Sequence, residues 1–317
     1  MRKLRWGVLG VARIAVEKVI PAMQRCEWSQ ITAIASRDLA KAQKAARELG
    51  IAKAYGSYDE LLADPEIEVV YNPLPIHLHV PWSIKAAEAG KHVLCEKPIG
   101  LCVEEGKKLR EARDRAGVKI GEAFMVRTHP QWLKAQELVQ SGRIGRLRVV
   151  TGFFSYHVTD PEDIRNILEY GGGGLMDYGC YGIFLSRFIF DAEPRRALGL
   201  VERDPQMGTD RLTSVILDFP QGQAVFTCGT QLVSYQSMNL VGTRGRIEME
   251  IPDDAAADRP WRLRVDDGRD PFGSGIETIE MPVCNHYTLQ GDAFSRAVQQ
   301  GGEVAVPLES NKEGWQG

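Results

Sequence analysis

Asp177 and Tyr181 stand four residues apart, just after the four glycines Gly171 to Gly174. Four residues is the spacing that puts two side chains on one helix face. Consecutive glycines let a backbone approach a ligand closely. A phenol and a carboxylate at such a point suit proton transfer, and they also suit a buried helix with a capped polar pair. A second chemical pair, Glu96-Lys97, stands before Pro98 at the end of the apolar run His92-Val93-Leu94-Cys95. Strand ends of this kind are where doubly wound sheets bind ligands, although a Glu-Lys pair beside a proline also reads as a surface ion pair.

A third group would hold a dinucleotide. Gly10-Val11-Ala12-Arg13-Ile14-Ala15 follows an apolar run and opens a helical pattern, which is the context the dinucleotide fingerprint requires. The helix start offers N–H groups and a favourable dipole to a pyrophosphate. Ala12 and Ala15 stand where that fingerprint has its second and third Gly. Ser36-Arg37-Asp38 comes 26 residues after Gly10, in the region where an acidic residue would bind the ribose of NAD. Here a hydroxyl and a guanidinium come first. A guanidinium fork suits a phosphate, so NADP(H) is favoured, with NAD(H) possible. The tripeptide also reads as a turn in which Ser36 or Asp38 caps the next helix. The six histidines (77, 79, 92, 129, 157 and 286) lack metal-ligand spacing. No metal is expected, and His77 is the one expected to line the ligand cleft.

The elements that must position these groups fall into two halves. Strand-like runs at 4–9, 30–35, 52–55, 68–72, 92–95 and 118–123 alternate with helical patterns at 14–26, 39–49, 58–63, 77–89 and 103–116. Parallel strands need such crossovers, so residues 1–123 read as a doubly wound α/β dinucleotide-binding (Rossmann) domain. After a helix at 132–141, strand-like runs dominate: 146–156, 196–203, 211–219, 223–233, 237–243, 246–251, 261–266 and 276–281. Residues 124–317 therefore read as an α+β substrate and dimerisation domain with one large, mostly antiparallel sheet.

Composition narrows the classes. The 317 residues are 44% hydrophobic and 26% charged, with a net charge of −3, which fits a globular protein and carries no basic footprint for nucleic acid. Six scattered cysteines without a CxxC pair argue against a disulfide framework or zinc site and fit a reducing cytoplasm. Arg5, Arg13 and Glu17 interrupt any leader-like apolar segment, and no stretch reaches the ~20 apolar residues of a membrane span.

Together these motifs resemble the glucose–fructose oxidoreductase / inositol dehydrogenase (Gfo/Idh/MocA) family of NAD(P)-dependent enzymes. The resemblance rests on Gly10–Ala15, on Tyr71-Asn72-Pro73-Leu74-Pro75-Ile76-His77, on His92 to Pro98, on Gly172 to Tyr181, and on Asn285-His286-Tyr287 with Gln290 and Asp292. Asp-x-Gly-x-Tyr is similar to the branch holding NADP-dependent aldose (xylose) dehydrogenases and dimeric dihydrodiol dehydrogenase. The resemblance implies hydride transfer between nicotinamide and a carbinol or carbonyl carbon of a sugar or polyol. It implies Tyr181 as acid/base, Lys97 as the cation favouring its phenolate, and Asp177 as a partner for a substrate hydroxyl. Gly10, Ala12, Arg13, Ile14, Ser36, Arg37, Asn72, Pro73, Leu74, His77, Glu96, Lys97 and Arg165 would contact cofactor, and Lys97, Asp177, Tyr181 and Tyr287 substrate. It further implies a homodimer or higher oligomer through the C-terminal sheet, and a last helix after Asn311. A reductase of a non-sugar diol or dicarbonyl is the alternative enzyme. A cofactor-sensing regulator and a redox-neutral glycoside-cleaving relative are other possibilities; Lys97 with Tyr181 argues against the first, and Asp177 with Tyr181 against the second.

Overall fold

The computed structural model describes residues 2–253 and 257–310; the helix expected after Asn311 lies outside them. Six parallel strands, β1 Leu4–Leu9, β2 Ser29–Ala35, β3 Lys53–Tyr55, β4 Val69–Asn72, β5 His92–Cys95 and β6 Ile120–Glu122, form one sheet in the order β3-β2-β1-β4-β5-β6. The strand order reverses between β1 and β4, the crevice where such sheets bind dinucleotides. β4 is buried at every residue, as expected of a parallel strand covered on both faces. The crossovers are α1 Ile20–Met23, α2 Leu39–Leu49, α3 Tyr58–Ala63, α4 His79–Glu88 and α5 Val103–Ala116. α2 begins where the Asp38 carboxylate accepts the N–H groups of Ala40 and Lys41, and ends at Gly50 with φ +66°. The helix expected at 14–26 runs from Arg13 to Met23, with a π turn, Ala15–Val19, before α1.

The second sheet has eight strands: β7 Leu147–His157, β8 Arg196–Arg203, β9 Asp210–Asp218, β10 Gln223–Gly229, β11 Gln231–Gly242, β12 Arg246–Met249, β13 Trp261–Asp266 and β14 Ile276–Met281. Their order is β14-β13-β12-β11-β7-β10-β9-β8. Only the β7–β10 pair is parallel. The sequence reading ran the fourth of these strands through to 233. The chain instead turns at Thr230, whose N–H donates to Arg211 O and whose carbonyl accepts from Val158. α6 Pro130–Gln140 and α7 Cys180–Phe190 belong to the same unit. On α7, a Cβ at Gly182 would meet the Phe226 ring at 2.7 Å, so the helix lies close on β10.

The sequence boundary at 123/124 differs from the division the contacts make. One compact unit is Met1–Thr128 together with Asn285–Gly317, and the other is His129–Cys284. The reason is a helix the sequence reading did not assign, α8 His286–Gln300. Asp292 on α8 accepts the N–H groups of Glu27 and Trp28 at 3.0 and 2.8 Å. Ser295 Oγ accepts from Trp6 Nε1 and bonds Ser29 Oγ. Phe294 meets the Trp6 ring edge-on at 5.4 Å. Burying the polar atoms of Trp6 and Ser29 requires such partners, and α8 supplies them. Among the described residues, no helix is long and apolar enough to cross a membrane, and no group of three His, Cys, Asp or Glu could hold a metal ion.

Candidate active site

In the first unit the chemistry gathers at the carboxyl ends of β1, β2, β4 and β5. Gly10 has φ +87°, a conformation that favours glycine. Its N–H donates to Ala35 O at 2.8 Å, tying the fingerprint turn to β2. A Cβ there would stand 3.0 Å from Leu74 Cδ2 and 3.6 Å from the Tyr58 hydroxyl. The N-cap residue of the π turn, Ile14, makes no side-chain cap. Ala12 and Ile14 are half-buried, while Arg13 is exposed and pairs with Glu17 at 3.0 Å. Of the two readings of Ser36-Arg37-Asp38, the helix cap is seen in the structure. Asp38 is engaged as the α2 cap, its N–H donates to the buried Ser36 Oγ at 3.2 Å, and Arg37 stays exposed. Arg37 borders the Tyr58 phenol, whose acidity burial suppresses and the guanidinium partly restores.

Asn72, Pro73 and Leu74 are buried where β4 ends. Asn72 Nδ2 donates to His79 O and Ser83 Oγ, and its Oδ1 accepts from Leu74 N. His77 is half-buried on the 3-10 turn Ile76–Leu78. Beyond β5, the Tyr71 hydroxyl donates to Glu96 Oε1 at 2.6 Å, and Lys97 N donates to Glu96 Oε2 at 3.3 Å. Burial, followed by the Glu96 charge, pushes the Tyr71 phenol well above its ordinary pKa, so it remains a donor. Lys97 is half-buried. Tyr287 opens α8 in this same unit, buried, its N–H capped by Asn285 at 2.9 Å and its ring against His286 at 4.2 Å. The sequence reading had placed it in the other domain.

In the second unit the glycine run forms a tight turn. Gly173 has φ +120°, its N–H donates to Arg165 O, and a Cβ on it would lie 2.0 Å from Asp210 Oδ1. Asp210 Oδ2 accepts the Leu175 N–H at 2.7 Å and the Thr213 hydroxyl at 2.8 Å. This carboxylate caps the π turn Leu175–Gly179 that leads into α7. Asp177 therefore sits on the wider π turn and Tyr181, only 3% exposed, on α7. Arg165 Nε is 3.2 Å from Asp177 Oδ2, and its Nη1 is 3.1 Å from both oxygens of Asp163. Burial works against the guanidinium, but Asp177 and Asp163 outweigh it and raise its pKa. The Arg165 guanidinium lies 5.8 Å from the Tyr156 ring centre. Burial and the Asp177 charge push the Tyr156 phenol above its ordinary range. Tyr178 touches the rings of Tyr156 at 5.2 Å and Tyr181 at 6.2 Å.

The structure thus gathers the expected residues into two groups, one per unit, and adds Tyr71, His79, Tyr156, Asp163 and Asp210. Of these, Tyr71 stood in the motif that runs to His77, His79 stood among the six histidines, and Asp163 stood two residues before Arg165. The others act through contacts distant in sequence.

Comparison with known proteins supports the two-part reading. Residues 4–124 match the model of an oxidoreductase family with an NAD-binding Rossmann fold, and residues 132–248 match the GFO/IDH/MocA C-terminal domain. The chain is 47% identical to an uncharacterized oxidoreductase of Rhizobium meliloti over 98% of its own length and 93% of the relative's. It is 37% identical to a D-xylose 1-dehydrogenase (NADP(+)) of Haloferax volcanii, over 97% and 93%. Among solved structures it is similar to a 3-ketoreductase from Actinomadura kijaniata in complex with NADP and TDP-benzene, with a TM-score of 0.90, 26% identity, and coverage of 98% and 94%.

Proposed function

This chain belongs to the GFO/IDH/MocA family of oxidoreductases, and on that premise we propose that it is an NADP(H)-dependent dehydrogenase or reductase of a sugar or polyol. The observation that carries the substrate class is the Arg165–Asp177 pair. The two side chains remain 40% and 25% exposed while locked at 3.2 Å beside Tyr156 and Tyr178. An accessible carboxylate and guanidinium against aromatic rings suit a ligand that presents several hydroxyls on an apolar ring face.

The first unit fits a dinucleotide. Its positive-φ Gly10 makes a tight turn in which a Cβ would crowd Leu74, so the backbone itself lines the turn. Gly10, Ala12, Arg13 and Ile14 would meet the pyrophosphate, Ser36 and Arg37 the 2′-phosphate, and Asn72, Pro73, Leu74, His77, Glu96 and Arg165 the remainder. The exposed Arg37 guanidinium beside Ser36 supports NADP over NAD, because its fork suits a phosphate. When bound, the nicotinamide exchanges a hydride with the carbinol or carbonyl carbon.

Tyr181 takes the hydroxyl proton in oxidation and returns it in reduction. A phenol with pKa near ~10 is a poor base at neutral pH, and a nearby cation favours its phenolate; Lys97 has that role. Asp177 accepts a substrate hydroxyl, held in line by Arg165, and Tyr287 contributes to the substrate side. Tyr181→Phe is expected to lower kcat with NADP and aldoses by roughly 10²–10⁴-fold while NADPH still binds. Retained turnover removes this assignment, and faster oxidation of trans-dihydrodiols than of aldoses moves the substrate class to non-sugar diols.

The second sheet supports self-association. On one face Leu198, Ile216 and Val225 pair across β8, β9 and β10 and all point outward, with Leu200 79% exposed in the next row. A contiguous apolar patch of this kind marks an interface, and a second copy of the chain would cover it. Leu198→Glu combined with Leu200→Glu is expected to halve the mass measured by light scattering. A single monomeric mass for the unaltered protein would remove the proposal.

A further inference from the structure

The turn that carries Lys97 is held at three points within the first unit. Tyr71 donates to Glu96 Oε1 at 2.6 Å, and Glu122 Oε1 accepts the Ile99 N–H at 2.7 Å. Between them, the carbonyl of Pro98 lies 2.7 Å from His79 Nδ1, and the other ring nitrogen, Nε2, lies 2.6 Å from the carbonyl of Leu74. Leu74 belongs to the turn after β4, and His79 is the first residue of α4, 1% exposed. Two carbonyls from two different turns thus meet on opposite sides of one buried ring. Without the ring, the carbonyl that takes its N–H would lose that donor, which is unfavourable.

We propose that His79 is a positioning residue, whose ring spans the Leu74 and Pro98 carbonyls and so sets where the Lys97 turn stands relative to the Asn72–Leu74 turn. This rests on the reading of Lys97 as the cation that serves the reaction. Leu74 has a second anchor, since its N–H donates to Asn72 Oδ1 and Asn72 in turn bonds the His79 carbonyl. Loss of the ring therefore leaves Leu74 held by Asn72 and the Lys97 turn held at Glu96 and Ile99, and frees the Pro98 carbonyl next to Lys97. A neutral imidazole offers one N–H and an imidazolium two. Burial, together with the nearby Lys97 and His77, holds His79 down to about 4 against the pull of the two carbonyls. At neutral pH the ring therefore donates its one N–H to one of the two carbonyls, and its other nitrogen faces the second carbonyl without a proton.

The test uses His79→Gln, which keeps a donor and an acceptor on a longer arm, and His79→Leu, which keeps bulk without a donor. In the cofactor-free protein, the rate at which an amine-reactive reagent labels Lys97, read by peptide mass mapping, is expected to change at least threefold. The exposed Lys41 on α2 serves as the internal reference and should not change. With NADP and aldose, kcat is expected to fall about tenfold and the acidic limb of its pH profile to move upward, on the role proposed above for the Lys97 charge. NADPH affinity should stay within threefold, because Asn72 still holds Leu74. Unchanged Lys97 labelling and an unchanged pH limb in folded variants overturn the proposal. If neither variant folds, the unaltered protein decides: a His79 ring N–H in slow exchange with solvent by nitrogen-15 NMR supports the bridge, and fast exchange overturns it. Lys97→Met separates the two readings. Full turnover in that variant removes the catalytic role of Lys97, whereas the labelling experiment still reports whether His79 holds the turn.

Discussion

The molecule has two glycine turns that open helices through a π turn, and they differ in what meets the helix start. At Gly10 the turn leads into Ala15–Val19 with no side-chain cap at Ile14. At Gly171–Gly174 it leads into Leu175–Gly179, and the Asp210 carboxylate takes the Leu175 N–H. A helix N-terminus attracts negative charge. In the second turn the protein supplies that charge itself, and the helix is left to present side chains, Asp177 and Tyr181. In the first, the residue before the π turn is the apolar Ile14, and a start of this kind suits a ligand that brings its own phosphates. Local π geometry recurs at functional sites, and here the same backbone device serves two ends.

Glycine substitutions sharpen the contrast. Gly173→Ala combines φ +120° with a Cβ 2.0 Å from Asp210 Oδ1, so a loss of about 3–5 kcal/mol is expected, read as a large drop in Tm for the second unit. A Tm within a degree of the unaltered protein would mean the turn is not held as described. Gly10→Ala meets only the flexible end of Leu74 at 3.0 Å, with φ +87°. About 1–2 kcal/mol is expected from the backbone, and NADPH binding should weaken about tenfold in fluorescence titration; tight binding with intact stability would break the parallel. The smallest effect belongs to Arg37→Ala. Loss of a charge-assisted bond of ~1.5 kcal/mol should weaken NADPH about tenfold and leave NADH unchanged. Equal weakening of both would take the 2′-phosphate away from Arg37.

Much of the first unit was legible because its signals are local. Asp38, Gly50 and Gly117 bound α2 and α5 at the residues expected from capping chemistry. β8, β13 and β14 likewise match their sequence runs end to end. α8 went unassigned although Asn285 caps it, Gly301 closes it, and Tyr287, Gln290, Phe294 and Ala297 recur on one buried face; the strand-rich stretch before it masked that period. Thr230 could not be read as a break, because its partners, Arg211 and Val158, come from other strands.

The chemistry-bearing types were readable from one dimension: the glycine turns, Arg37, Glu96-Lys97, and Asp177 four residues before Tyr181. Periodicity and capping depend on neighbours within a turn, so a single chain of letters determines them. What only the tertiary structure decided is which groups restrain those residues. His79 between two carbonyls, Asp210 in the second glycine turn, Tyr71 on Glu96, Asp177 on Arg165, and Asp292 drawing α8 onto the first sheet are contacts of buried or half-buried polar atoms. Such atoms must find partners wherever the fold brings them, and only three dimensions bring together residues as far apart as Trp28 and Asp292.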